Sequence, residues 1–150
     1  MNRAQGSTEY LVLLAVALVV ALVVVGILGW FPGLGGGASE TQSKTYWAGA
    51  MPFSITVVKL AASGSQMTLS NRLSDQLTLT SIRLNTVAAY TGSTAFTGGQ
   101  ENTIAITTTC TAANSGKTVQ YDNVTITYNR GKITGIRQVG DKPLIIRCSS

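Results

Sequence analysis

The pattern of hydrophobic and polar positions divides the chain into two parts. Residues 11–31 are an unbroken run of 21 residues without a charged or polar side chain, whereas the chain from residue 38 onward mixes polar and apolar positions. Twenty-one helical residues span roughly 31 Å, the thickness of the hydrocarbon core of a bilayer. Because the run is far longer than a strand and does not alternate with a period of two, it predicts a helix that is apolar on every face.

The end of this helix is marked by a change in composition. Trp30 and Phe31 stand where aromatic side chains are found at a membrane interface. Pro32 and the glycines at 33 and 35–37 follow them directly. They predict that the helix stops at residue 31 and that a glycine-rich hinge and linker occupies residues 32–45.

The remainder, residues 46–150, predicts a β domain without an amphipathic helix after residue 40. Its polar and apolar positions give seven candidate strands: 53–60, 66–70, 75–84, 102–109, 117–128, 131–139 and 143–148. The alternation slips at Thr80-Ser81, which predicts a bulge or a short turn, and Asn129-Arg130-Gly131 predicts a hairpin turn. The fold class expected is therefore α+β, with a long N-terminal apolar α-helix followed by an all-β antiparallel sandwich that is immunoglobulin-like.

Composition argues against an enzyme. The chain contains no histidine, and the five acidic residues from residue 38 onward are scattered, so a Ser-His-Asp arrangement is excluded. Two cysteines alone do not make a zinc site, and Gly35-Gly36-Gly37 lacks the lysine of a phosphate-binding loop. The sequence predicts no catalytic residue, no metal and no cofactor.

The net charge of +5 adds one further candidate surface. Within the last quarter of the chain, five cations cluster over residues 130–147: Arg130, Lys132, Arg137, Lys142 and Arg147. A basic region of this kind suits nucleic acid, an anionic surface or an acidic glycan. Because aromatic residues are not interleaved with these cations, a solvated face is favoured over a nucleic-acid site.

Two covalent features are expected in the β domain. Cys110 and Cys148 are the only cysteines, and in an exported domain an even count predicts a disulfide, here one that closes 38 residues (148 − 110). Asn123-Val124-Thr125 is an N-glycosylation sequon. The sequence leaves the occupancy of Asn123 open.

The single acidic residue beside the apolar run requires an explanation. Glu9 lies two residues before Leu11, and a carboxylate near the bilayer core costs free energy, so such residues are usually functional. Three interpretations compete for the apolar segment: a secretory signal peptide, a plain membrane anchor, and a subunit helix that packs against copies of itself. The first fits poorly because the run exceeds the usual length of a signal peptide; the second leaves Glu9 with no role beyond complementing the positive N-terminus of the helix.

The residues around Glu9 carry a family resemblance. Arg3-Ala4 followed by QGSTEYL, residues 5–11, resembles the class III signal peptide of archaeal type IV pilins. The resemblance implies that a prepilin peptidase removes a leader, residues 1–4, by cutting between Ala4 and Gln5. The hydrophobic helix, residues 5–31, is then retained, and Glu9 becomes the fifth residue of the mature chain, where type IV pilins have glutamate.

The resemblance also implies a function. The chain would be the structural subunit of an archaeal pilus-like filament used for adhesion or surface attachment, with its precursor in the cytoplasmic membrane and its β domain outside. Its partners would be further copies of itself in a helical filament, the prepilin peptidase, a pilus assembly ATPase and a membrane platform protein. In this interpretation the new amino group of Gln5 pairs with Glu9 of a neighbour and sets the register between helices. The expected filament-core packing residues are Leu11, Ala17, Ala21 and Gly26. The alternative is a membrane-anchored β-sandwich that binds a partner at the cell surface.

Overall fold

The computed structural model describes residues 5–29 and 32–149, with side chains for residues 8–26 and 37–149. The expected leader, residues 1–4, and the aromatic pair Trp30-Phe31 lie outside the described residues. The chain divides into two compact units, residues 1–36 and 37–150.

The helices are α1, Gln5–Gly29, and α2, Pro32–Gly49. The first agrees with the predicted apolar helix. The second contradicts the predicted hinge and linker over residues 32–45, because these residues are helical and the helix continues to Gly49. The β domain therefore starts earlier than residue 46, because the second unit begins at residue 37.

Packing explains why the later part of α2 is helical despite its polar composition. Ser43 and Trp47, one turn apart, are both buried. The Ser43 hydroxyl donates to the carbonyl oxygen of Pro143 at 2.9 Å and accepts from the Ile145 amide, also at 2.9 Å. Trp47 joins the hydrophobic core, and its ring lies against Gly140, where a Cβ would overlap with it. Tertiary contacts thus override the weak intrinsic helix preference of this segment.

Among the described residues, nine strands follow α2, and they are antiparallel within each sheet. Their bounds are β1 Phe53–Lys59, β2 Gln66–Asn71, β3 Leu77–Leu84, β4 Val87–Phe96, β5 Glu101–Ala105, β6 Thr118–Tyr121, β7 Val124–Arg130, β8 Ile133–Val139 and β9 Leu144–Arg147, with a short 3-10 helix at Ala112–Asn114. The strands form three sheets with the orders β1-β2-β5, β4-β3-β7-β8 and β6-β9. The first two orders match A-B-E and C′-C-F-G of the immunoglobulin fold. The expected α+β class with an antiparallel β domain is confirmed.

The core lies between the inner faces of the two larger sheets. Phe53 of β1 makes edge-to-face contacts with Phe96 of β4 and Tyr128 of β7, with ring centroids 5.2 and 5.6 Å apart. The side chains of Leu69 on β2 and Ile126 on β7 are fully buried. The two sheets therefore share one hydrophobic core and form a sandwich.

Comparison with the predicted strands shows two local successes and two errors. The register slips at Leu79/Ser81, which confirms the bulge, and Gly131 with φ +58° lies in the turn of the β7–β8 hairpin. Strand β4 was missed because its alanines and glycine give a weak strand signal. The predicted strand 117–128 is two strands, β6 and β7, which pair in different sheets.

Candidate functional site

The candidate site is helix α1, because its sequence and its exposure differ from the rest of the chain. Residues Thr8–Gly26 form a helix that is long and apolar enough to cross a membrane. Its many valines favour strands in water, yet a bilayer or a helix bundle favours the helix because all backbone groups bond within the segment. The 25 residues of α1 span roughly 37 Å.

Every large apolar side chain described in α1 is exposed. The exposed fractions run from 47% at Leu14 to 69% at Leu13 and Leu22. These residues point in all directions around the helix, so no single stripe accounts for them. An apolar surface of this extent requires cover by lipid or by another protein chain.

Glu9 is the only charged residue within α1, and its side chain is exposed. Among the residues that the structure describes, no cation lies within ion-pair distance of it. Gln5 lies one turn earlier on the same side of the helix, since residues i and i+4 are neighbours on a helix surface. The expected cleavage partner Ala4 lies outside the described residues, so the cut between Ala4 and Gln5 stays a prediction.

The four expected core-packing residues do not form one seam. At about 100° per residue, Ala17 and Ala21 lie about 40° apart, whereas Leu11 and Gly26 fall on other sides of the helix. Leu11 is 59% exposed, and a Cβ at Gly26 would have no atom within 4 Å. This distribution suits a helix with neighbours on several sides better than a two-helix dimer.

The two cysteines and the sequon asparagine all lie in the described part of the β domain. Cys110 and Cys148 form the predicted disulfide, with Cα atoms 5.9 Å apart, and both are buried. Asn123 is exposed in the connection between β6 and β7. Asn85 holds the backbone of Asn123 with two hydrogen bonds: the backbone amide of Asn85 donates to the carbonyl oxygen of Asn123, and the backbone amide of Asn123 donates to Oδ1 of Asn85. The disulfide and the apolar helix together indicate an exported or membrane-anchored protein.

The basic group predicted in the last quarter of the chain is not one surface. Arg130 pairs with Asp75, and Arg147 lies 3.8 Å from Glu40 of α2. Lys142 lines an open groove of about 750 Å³ beside α2. Arg137 lies on the outside of the four-stranded sheet, where the register brings it near Arg83, a residue that sequence reasoning did not single out.

The titratable groups of the described residues include no metal-binding cluster of three or more His, Cys, Asp or Glu side chains. On β6, burial raises the pKa of the Tyr121 phenol above its ordinary value of 10.0, so this side chain is neutral at physiological pH.

Comparison with known proteins does not place this chain in a family. No protein-family model matches the chain, and no curated protein matches it.

Proposed function

We propose that this protein is the structural subunit of a cell-surface filament similar to archaeal type IV pili. In the filament, α1 helices from many copies pack together as the core, and the β domains form the outer layer. The observation that carries the proposal is the exposure of α1: its large apolar side chains within residues 8–26 are 47–69% exposed. The QGSTEYL segment that opens α1 supports it independently through its resemblance to archaeal pilin signal peptides.

Glu9 favours a filament over a plain membrane anchor. A plain anchor gains from this carboxylate only its interaction with the positive N-terminus of the helix, whereas burying the charge costs free energy. In a bundle of mature chains, the amino group created at Gln5 supplies a cation one turn from Glu9 of its own or a neighbouring helix. A pair between neighbouring helices forms only when the helices adopt one stagger, so it sets their register.

The β domain is suited to the outer layer because its fold is complete without other chains. Its core is closed between two sheets and a disulfide joins Cys148, near the chain end, to Cys110. Adhesion or surface attachment would then be carried by the faces of this domain. Assembly would use the prepilin peptidase, an assembly ATPase and a membrane platform protein.

The test replaces the carboxylate with its nearly isosteric amide. Glu9→Gln should still insert in the membrane, yet release few or no filaments, because leaving one partner of a desolvated pair alone costs about 3–5 kcal/mol at each addition. Glu101→Gln, which removes one exposed carboxylate from β5, is the matched control and should leave filaments at normal amounts. Filaments are counted by electron microscopy of sheared surface fractions.

Two results would contradict the proposal. Wild-type amounts of Glu9→Gln filaments would remove the register role, and absence of fibres from the wild type would favour the membrane-anchored binding protein. Mass spectrometry of the mature N-terminus accompanies the test, since conversion of Gln5 to pyroglutamate would remove the cation by a separate route.

A further inference from the structure

The outside of the sheet β4-β3-β7-β8 is rich in hydroxyl groups, and we call it the hydroxyl face. Residues directly opposite each other on neighbouring strands share a face of the sheet. The register therefore defines two adjacent rows across the four strands. They are Ala88–Arg83–Thr125–Val139 and Thr91–Ser81–Thr127–Arg137.

The side chains of these rows are accessible. Arg83, Thr91, Arg137 and Val139 are exposed, and Ser81, Thr125 and Thr127 are half-buried. The inner residues of the same strands, such as Ile82 and Ile126, are fully buried in the core. The hydroxyl face is thus a solvent-facing surface on a rigid scaffold.

The charge of this face has one sign. Strands β3, β4, β7 and β8 contain no acidic residue. Among the described residues, neither Arg83 nor Arg137 lies within ion-pair distance of a carboxylate, whereas Arg130 and Arg147 do have acidic partners. The Arg83 guanidinium donates a hydrogen bond to the Thr86 carbonyl oxygen at 2.9 Å, and this bond orients the side chain.

The two guanidinium groups are spaced across the face. Arg83 on β3 and Arg137 on β8 are separated by β7, which is roughly 10 Å at the usual distance between strands, and by one row, which adds about 7 Å along the strand. The Thr125 and Thr127 hydroxyls lie between them. Two cations with hydroxyl groups between them complement a polymer that carries repeated anionic groups and many hydroxyl groups.

We propose that the hydroxyl face binds acidic polysaccharide, with Arg83 and Arg137 pairing with carboxylate groups on different sugar residues. Threonine and serine hydroxyls exchange hydrogen bonds with sugar hydroxyls, and the methyl groups of Ala88 and Val139 contact the apolar faces of sugar rings. Nucleic acid is disfavoured because neither row carries an aromatic ring on which a base could stack. The inference deepens the proposed function, since it gives the outer domain of an adhesive filament a class of ligand.

The experiment measures binding of the full-length chain in detergent micelles to immobilised alginate, a polymer of uronic acids, with dextran as the neutral polymer. The double variant Arg83→Gln/Arg137→Gln should bind alginate about tenfold more weakly than the wild type. The control Lys59→Gln/Arg72→Gln removes the same charge elsewhere and should change binding less than twofold.

Binding should also weaken as salt is raised, because exposed charge pairs are screened. Arg83→Lys, which retains the charge, shows whether loss of the guanidinium orientation alone matters and should retain most of the binding.

The outcomes separate this inference from the filament proposal, since the assay does not require filaments. Equal losses in the two double variants would show that only net charge matters, and no retention on alginate would show a solvated face; either result overturns the inference. Stronger retention by double-stranded DNA than by alginate at equal charge concentration would overturn it in favour of nucleic acid. Circular dichroism of each variant confirms that the β domain is intact.

Discussion

The apolar side chains of helix α1 and those of the β domain have opposite surroundings. Leu13 and Leu22 of α1 are 69% exposed, whereas Leu69 and Leu79 of the sandwich are fully buried. The same side chain thus stabilises the fold in one unit and contributes almost nothing to it in the other. The difference indicates that the β domain folds by itself and that α1 needs cover from outside the chain.

Separating the two units should give the largest effect. A chain shortened to residues 37–150 should be soluble and monomeric without detergent, because it retains the whole sandwich core and loses the exposed helix. Size-exclusion chromatography with light scattering measures this, and stable oligomers of the shortened chain would contradict the comparison.

A second shortening tests where the β domain begins. Residues 50–150 lack Trp47, whose side chain is 1% exposed, so this chain should lose about 3–5 kcal/mol of stability relative to residues 37–150. Equal unfolding midpoints for the two shortened chains in urea would show that α2 is not part of the domain.

The disulfide should have the next largest effect, and only in the β domain. Closing 38 residues contributes about 4 kcal/mol in the loop-entropy model. Cys148→Ser should therefore lower the Tm by roughly 15–20 °C, and Cys110→Ser/Cys148→Ser should lower it similarly. Two reactive thiols in denatured, unreduced wild type would show that the bridge does not form in the protein.

The contact between Gly140 and Trp47 should give a smaller effect. In Gly140→Ala the new Cβ overlaps with the tryptophan ring, and overpacking of this kind costs about 1–3 kcal/mol. Gly49→Ala is the matched control, because a Cβ there has no atom within 4 Å. Equal midpoints in thermal unfolding for the two variants would show that the Trp47 ring does not lie against Gly140.

Much of the fold could be predicted from the sequence because its signals are local. The length and uniformity of residues 11–31 predict the apolar helix, and the slip at Thr80-Ser81 predicts the bulge that the register shows. Helix α2 could not be predicted in this way, because its stability depends on Ser43 and Trp47 meeting residues about a hundred positions later. Strand β4 was missed for a related reason: its pairing with β3 compensates for a weak local preference.

The candidate site shows the same division. Glu9 and the segment around it are visible in sequence because a lone carboxylate beside an apolar run is conspicuous. The presence of Arg83 and Arg137 on one face could not be predicted without the sheet order. These residues are far apart in the chain, and the order β3-β7-β8 places them on the same side of one sheet. The clustering of basic residues over positions 130–147, by contrast, predicted a common surface that does not exist, because Arg130 and Arg147 have acidic partners.

The measurement that tests the central claim most directly is cysteine cross-linking within α1. Ala21→Cys places a thiol on the exposed helix, and Thr91→Cys places one on the outside of the β domain as the control. If copies of α1 cover one another, mild oxidation of membrane-free sheared fibres should convert the Ala21→Cys subunit into disulfide-linked dimers, and a maleimide should label it far more slowly than the Thr91→Cys subunit. Monomers that label as fast as the control would show that α1 is not covered by its neighbours and would contradict the account.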